Sequence, residues 1–174
     1  MEEKFGNKRP TWDEYFMMSA LAMASRSACL KIRAGAVIVK NKRIISTGYN
    51  GAAPRLASPF SLGYCRKEKE AGVEFHDKNT GHCFAIHAEV NAILQIANID
   101  LHGTTMYSLL YPCADCAKTI VGAGIDEVVW LKYYKEKDTI TDKIFKEAKI
   151  KVRQMEFDPD CIDMLKMILE DDRI

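Results

Sequence analysis

His87-Ala88-Glu89 and Pro112-Cys113-Ala114-Asp115-Cys116 are the two stretches from which this chain is best read. The pattern is H-x-E, then P-C-x-x-C. Behind His87 runs Ala88-Glu89-Val90-Asn91-Ala92-Ile93-Leu94-Gln95-Ile96-Ala97, rich in helix formers. It predicts a mostly buried helix over 88–97. Thr105-Met106-Tyr107-Ser108-Leu109-Leu110 then reads as a strand. Pro112 suits the start of a second helix, because its missing N–H would be unpaired there anyway. Cys113 and Cys116, three apart, share one face of that helix. A helix N-terminus favours thiolate over thiol, and thiolate is the metal-binding form. One imidazole and two thiolates suit a tetrahedral Zn²⁺, with the fourth position left for water. His87 and Glu89 converge on such a water only at the first turn of their helix, which is where the helical pattern begins. A C-x-x-C alone is often a structural zinc half-site or a redox pair, and an H-x-E alone says little. The two together, each opening a helix, carry the signal.

Upstream, Thr11 with Glu14 three residues on is a capping box. A long helix should follow through Tyr15, Phe16, Met18, Ala20, Leu21, Ala22 and Ala24, its apolar residues being core; residues 1–10 read as an arm. Gly35–Lys40 contains Ala36-Val37-Ile38-Val39, a strand; Asn41-Lys42 is a turn; Arg43–Gly48 is a second strand. The apolar run of this hairpin suggests a sheet covered on both faces. Gly48-Tyr49-Asn50-Gly51 ends it with Asn-Gly turn chemistry. Residues 52–86 read as a long surface excursion, of a length that often carries function. Downstream, a helix over 114–122 stops at Gly124. A strand over Glu127–Leu131, a helix over Thr141–Ala148, an edge strand over Ile150–Met155 and a helix over Pro159–Glu170 complete the chain. The alternation predicts a three-layer α/β/α sandwich around a mixed sheet of about five strands. It is read as one domain over 1–174, with a core at about 9–135, the insertion at 52–86 and a helix-strand-helix tail at 136–174.

The chain has 174 residues, 48% of them hydrophobic, which is ample for one buried core. Twenty-five basic and 24 acidic residues leave a net charge of +1, so no basic face points to a nucleic-acid partner. The six cysteines are too few for a secreted disulfide framework, and their metal-like spacing argues for a reducing compartment. Met1–Pro10 is charged and does not read as a signal peptide. No apolar run is long enough to span a membrane. The expectation is a soluble cytoplasmic protein.

The chain resembles the deoxycytidylate (dCMP) deaminases of the cytidine deaminase-like fold. The resemblance rests on Arg9-Pro10-Thr11-Trp12-Asp13-Glu14-Tyr15-Phe16, Ala24-Ser25-Arg26-Ser27-Ala28-Cys29, Gly35-Ala36-Val37-Ile38-Val39, Ser46-Thr47-Gly48-Tyr49-Asn50-Gly51, His87-Ala88-Glu89-Val90-Asn91-Ala92-Ile93 and Pro112-Cys113-Ala114-Asp115-Cys116-Ala117-Lys118. It covers roughly residues 9–135. It implies zinc-dependent hydrolysis of dCMP to dUMP and ammonia, supplying dUMP for thymidylate synthesis. The implied metal ligands are His87, Cys113 and Cys116, with Glu89 as the proton shuttle. Asn50 matches a sugar- or base-contacting Asn, Arg26 is the first choice for the 5′-phosphate, and Tyr134 is placed at the pocket mouth. Lys31, Arg33 and Arg55 are alternative anion contacts. Cys29, Cys65 and Cys83, with His82 or His76, are candidates for a second, structural zinc. The family's regulation implies a homo-oligomer, a hexamer in many members, activated by dCTP with Mg²⁺ and inhibited by dTTP. Gly48, Tyr49 and Gly51 are the candidate effector contacts. Two departures stand out: Leu109 where the family often has Thr near the base pocket, and Thr80 where long-loop relatives have His. Other readings are a deaminase of dCTP, cytidine, guanine or tRNA adenosine, and a binding module with purely structural zinc. Glu89 separates the last from an enzyme, since a structural site needs no acid there.

Overall fold

The computed structural model describes residues 9–75, 77, 81–96, 99–134 and 139–170. The order is α1 (Trp12–Ala24), β1 (Gly35–Lys40), β2 (Arg43–Tyr49), β3 (Gly51–Ala52), α2 (Pro59–Leu62), α3 (Arg66–Ala71), β4 (Ala85–Ile86), α4 (Ala88–Leu94), β5 (Thr105–Leu110), α5 (Ala114–Ala123), β6 (Glu127–Lys132), α6 (Thr139–Glu147), β7 (Lys151–Gln154) and α7 (Asp160–Leu169). The main sheet runs β2-β1-β5-β6-β7. Its β2, β1 and β5 are antiparallel, while β5, β6 and β7 are parallel. The expected mixed five-stranded sheet is therefore present. No helix among the described residues is long and apolar enough to cross a membrane.

Alternation along β1 sorts the two cores. Val37 and Val39 pack with Phe16, Met17 and Ala20 of α1 on one face. Ala36 and Ile38 pack with Ala88 and Ala92 of α4 and Ala117 and Ile120 of α5 on the other. Side chains of opposite parity point to opposite faces, so a strand buried on both sides is apolar throughout. Burying each such side chain is worth roughly 1.5–3 kcal/mol. That exceeds the ~1 kcal/mol of a cap, so packing rather than capping holds the layers. The α1 capping box does form, with Thr11 and Glu14 reciprocally bonded. The hairpin turns on Asn41 and Lys42, both at positive φ (51° and 59°). That is the turn geometry matching the twist of paired strands.

Two glycines set how close the helices come. A Cβ on Gly35 would lie 2.0 Å from the Ala20 carbonyl oxygen of α1. A Cβ on Gly48 would lie 2.2 Å from the Ala88 carbonyl oxygen and 2.4 Å from the Ala92 nitrogen of α4. Contacts this short with backbone cannot be relieved by a rotamer change. Ser46 Oγ also donates to the Ala92 carbonyl (2.6 Å), and Asn91 Nδ2 to the Tyr49 carbonyl (2.7 Å). The helix that follows His87 is thus seated on β2 by its backbone. Gly48→Ala is expected to cost about 1–3 kcal/mol, as overpacking usually does, and to lower the melting temperature by at least ~2 °C. Gly51→Ala is the control, because a Cβ there meets nothing nearer than 3.8 Å. Equal melting temperatures for the two variants would show that α4 is not held so tightly.

Three expectations need correction. The helix after His87 ends at Leu94, with Gln95 as its cap; Ala97 lies outside the described residues, as do residues 1–8 of the arm. The 52–86 excursion contains α2, α3 and a two-stranded ladder of β3 on β4, pairing Gly51 with Ile86 and Ala52 with Ala85. That ladder carries the Gly48–Gly51 segment to the residue preceding His87. Pro112 does not open α5: Cys113 is its N-cap and Ala114 its first residue.

Candidate active site

His87 is the N-cap of α4 and Cys113 the N-cap of α5, both with extended backbone. Their side chains therefore project past the helix starts rather than along the helix sides. Cys116 lies in the first turn of α5. His87 Nδ1 lies 3.5 Å from Cys113 Sγ and 3.4 Å from Cys116 Sγ. All three ligand atoms lie within 4.8 Å of one another. Metal–ligand bonds of ~2.0 and ~2.3 Å at tetrahedral angles require N···S separations of roughly 3.6 Å. The three side chains thus fit a zinc ion with little movement, and the donor set is one that zinc prefers. One coordination position remains for a non-protein ligand.

The electrostatics agree with a metal-ready cluster. Hydrogen bonds from Cys116, then from His87, draw the Cys113 thiol down to about 4. The Cys113 thiolate in turn raises His87 to about 9. The same thiolate and burial push Cys116 upward. Zinc takes the imidazole neutral and the sulfurs as thiolates, so metal uptake releases protons. Glu89, only 5% exposed, sits in the first turn of α4. Burial raises its carboxyl above the ordinary range, the direction that favours accepting and returning a proton.

His87, Glu89 and Cys113 line a cavity of about 310 Å³, with Cys116 buried behind them. Asn50 and Tyr134 line it too. Asn50 is buried, its Oδ1 accepting from the Ala34 amide (2.8 Å) and its Nδ2 donating to the Ile32 carbonyl (3.0 Å). Its amide thus shapes the 32–34 wall of the cavity. Burial raises the Tyr134 hydroxyl, and its ring meets Phe75 edge-on at 6.1 Å.

Other expected contacts fall elsewhere. Arg26 is exposed just beyond α1 and is not among the cavity-lining residues. Lys31 pairs with Glu68 at 2.7 Å, Arg33 donates to the Ser25 carbonyl at 2.9 Å, and Arg55 is exposed; none lines the cavity. Among the described residues, Cys29, Cys65, His82 and Cys83 do not bring three ligand atoms together as the His87 group does. Cys29 and Cys83 line the cavity separately from that group, and His76 and Thr80 lie outside the described residues. Leu109 faces α1, and its neighbour Leu110 lines the cavity. Gly48 leaves no room for a nucleotide, because α4 already fills its approach. Tyr49 is exposed, whereas Gly51 is buried, with the Tyr49 ring and Ala28 about it.

Sequence reasoning missed Lys67 and Tyr111, both cavity-lining. It also missed the brace behind the second motif. The buried Thr141 hydroxyl donates to the Pro112 carbonyl at 3.1 Å, and Tyr111 donates to the Asp142 carboxylate. Both partners belong to α6, so that helix holds the turn leading into Cys113.

The model of the cytidine and deoxycytidylate deaminase zinc-binding region matches residues 10–132. The deoxycytidylate deaminase of Saccharomyces cerevisiae is 42% identical over 86% of this chain, which spans 46% of that protein. The deoxycytidylate deaminase of Mycobacterium phage D29 is 40% identical over 71% of this chain and 97% of its own length. The crystal structure of dCMP deaminase from the cyanophage S-TIM5, in complex with dCMP and dUMP, superposes with a TM-score of 0.67. It is 26% identical, covering 86% of this chain and 100% of the other. The chain thus spans about half the yeast relative's length and nearly all of both phage proteins.

Proposed function

Since the chain belongs to the cytidine and deoxycytidylate deaminase family, we propose that it hydrolyses dCMP to dUMP and ammonia. The observation that carries this is Glu89, a buried carboxyl placed beside a three-ligand metal cluster in a substrate-sized cavity. A structural zinc site has no use for it. His87, Cys113 and Cys116 would hold the ion. A zinc ion there supplies a Lewis acid that brings water toward hydroxide near neutral pH. Glu89 accepts a proton as the water oxygen adds to C4 of the cytosine. Its carboxyl then returns the proton to the ring nitrogen N3. It next takes the proton of the new C4 hydroxyl and passes it to the 4-amino group, so that C4=O forms, the C4–N bond breaks and ammonia leaves. Asn50 and Tyr134 form the wall against which the nucleotide is positioned.

Support for dCMP comes from the named relatives and the nucleotide complex of the S-TIM5 protein. The same resemblance supports a homo-oligomer controlled by dCTP with Mg²⁺ and by dTTP. Tyr49, exposed at the end of β2, is the residue we assign to an effector. A second zinc on Cys29, Cys65, His82 and Cys83 is not part of this reading, because their ligand atoms are not gathered.

The test is ammonia release from dCMP, dCTP, cytidine and guanine, repeated with each effector. Turnover of dCMP above the others, with a sigmoidal curve made hyperbolic by dCTP·Mg²⁺, is expected. Preference for another substrate would replace dCMP, and a curve unmoved by either triphosphate would remove the regulation.

A further inference from the structure

We propose that Lys67 reads the anionic group of the substrate. The inference rests on the preceding assignment of the cavity to a nucleotide, and it names the residue that distinguishes nucleotide from nucleoside. Lys67 lies on α3, inside the 52–86 excursion, and is only 6% exposed. Lysine is rarely buried so fully without a charged partner. It lines the same cavity as His87 and Glu89, and it is the only lysine or arginine among the described residues that does so. Its Nζ donates to the Phe75 carbonyl at 3.0 Å and to the Asp77 carbonyl. An ammonium has three donors, so among the described residues two neutral carbonyls leave one N–H without a partner and the charge without an ion pair. The acids beside it on α3 are already engaged. Glu68 pairs with Lys31 at 2.7 Å and Glu70 with Arg66 at 3.0 Å. Among the described residues no carboxylate pairs with Lys67. A desolvated cation without a counter-ion is costly. An anion entering the cavity would relieve that cost, and a phosphate ester supplies both charge and acceptor oxygens. An ammonium binds phosphate as a point charge, which suits a single residue better than the bidentate Arg26 expected from the sequence.

The rival role is a purely structural latch, with Lys67 tying the 75 and 77 carbonyls across the cavity wall. Steady-state kinetics of the zinc-loaded wild type and Lys67→Met on dCMP and deoxycytidine separate the two. Losing a charged hydrogen bond should lower kcat/KM for dCMP about tenfold to a hundredfold more than for deoxycytidine. The loss should fall mainly in KM. Lys67→Arg, which keeps the charge, should recover part of the dCMP preference. A latch predicts equal losses on both substrates, and that result would overturn the inference. A second measurement needs no variant. Inorganic phosphate should compete with dCMP in the wild type while leaving deoxycytidine turnover nearly untouched; absence of that competition would also overturn it. If the wild type fails to deaminate dCMP at all, the functional assignment falls instead.

Discussion

Glu89→Gln is expected to keep one zinc per chain and a folded protein, while turnover falls by at least about 10²–10⁴-fold. The upper part of that range or beyond is expected, because one carboxyl serves several proton transfers in sequence. The amide has nearly the same volume, so the first turn of α4 should pack as before. It also removes a carboxyl whose charge is disfavoured by burial. A group raised in the folded state adds stability only at acid pH and loses it as pH rises through the folded value. Above its ordinary 4.5, the wild-type carboxyl therefore weighs against folding in the metal-free protein. At neutral pH the metal-free Gln variant should melt no lower than the metal-free wild type. Zinc analysis, thermal unfolding and ammonia release on the same samples check all three statements. Turnover within tenfold of wild type would take Glu89 out of the mechanism. Zinc loss would make it part of the metal site instead.

The second large effect is expected at the ligands. Cys113→Ser with Cys116→Ser should reduce zinc from one per chain to near zero and abolish detectable deamination. Serine offers a hard, protonated oxygen at neutral pH where the geometry presents two sulfurs to a borderline-soft ion. The fold itself should survive, since both clusters of the core are built from aliphatic and aromatic side chains on either face of the sheet. Circular dichroism resembling the wild type, together with lost zinc, is the expected signature. Stoichiometric zinc in the double variant would move the metal elsewhere on the chain. His87→Ala tests the third ligand in the same way. Because protons leave as the ion binds, acidification alone should release zinc from the wild type, with affinity falling as pH drops.

Much of this was legible before any coordinates, and the reason differs from element to element. The hairpin was readable because Val37 and Ile38 face opposite cores and Asn41-Lys42 can adopt positive φ. Thr11 and Glu14 announced α1 through a local bond pattern needing no tertiary context. The metal cluster was readable because each ligand lies at a helix start, a position that short-range signals mark. The 52–86 excursion was not read as α2 and α3, although Ser58-Pro59 and Gly63 are start and stop signals for a single turn. At that length helices are marginal by propensity alone, and the surrounding fold decides. Lys67 left no trace in the sequence. Arg66-Lys67-Glu68-Lys69-Glu70 looks like a solvated face, and only the folding of the excursion over the cavity turns one of its charges inward. Arg26 sits just past a helix end, where a residue can face either way, and here it faces water. Asn50, read from Asn-Gly as a turn residue, instead joins β2 directly to β3, and its amide bonds build the cavity wall.

The brace from Thr141 to Pro112 bears on where the working unit ends. The matched family region stops at residue 132, whereas α6 begins at Thr139. A fragment trimmed to the recognisable motif would lose that hydroxyl and leave the Pro112 carbonyl without its donor. It would also remove Phe145, 2% exposed in the core beneath α5. The tail is thus a tensioner for the second metal loop, and drift in its sequence can detune an ion that it never touches. Homologues spliced at the motif boundary would exchange ligands intact yet inherit a slack loop.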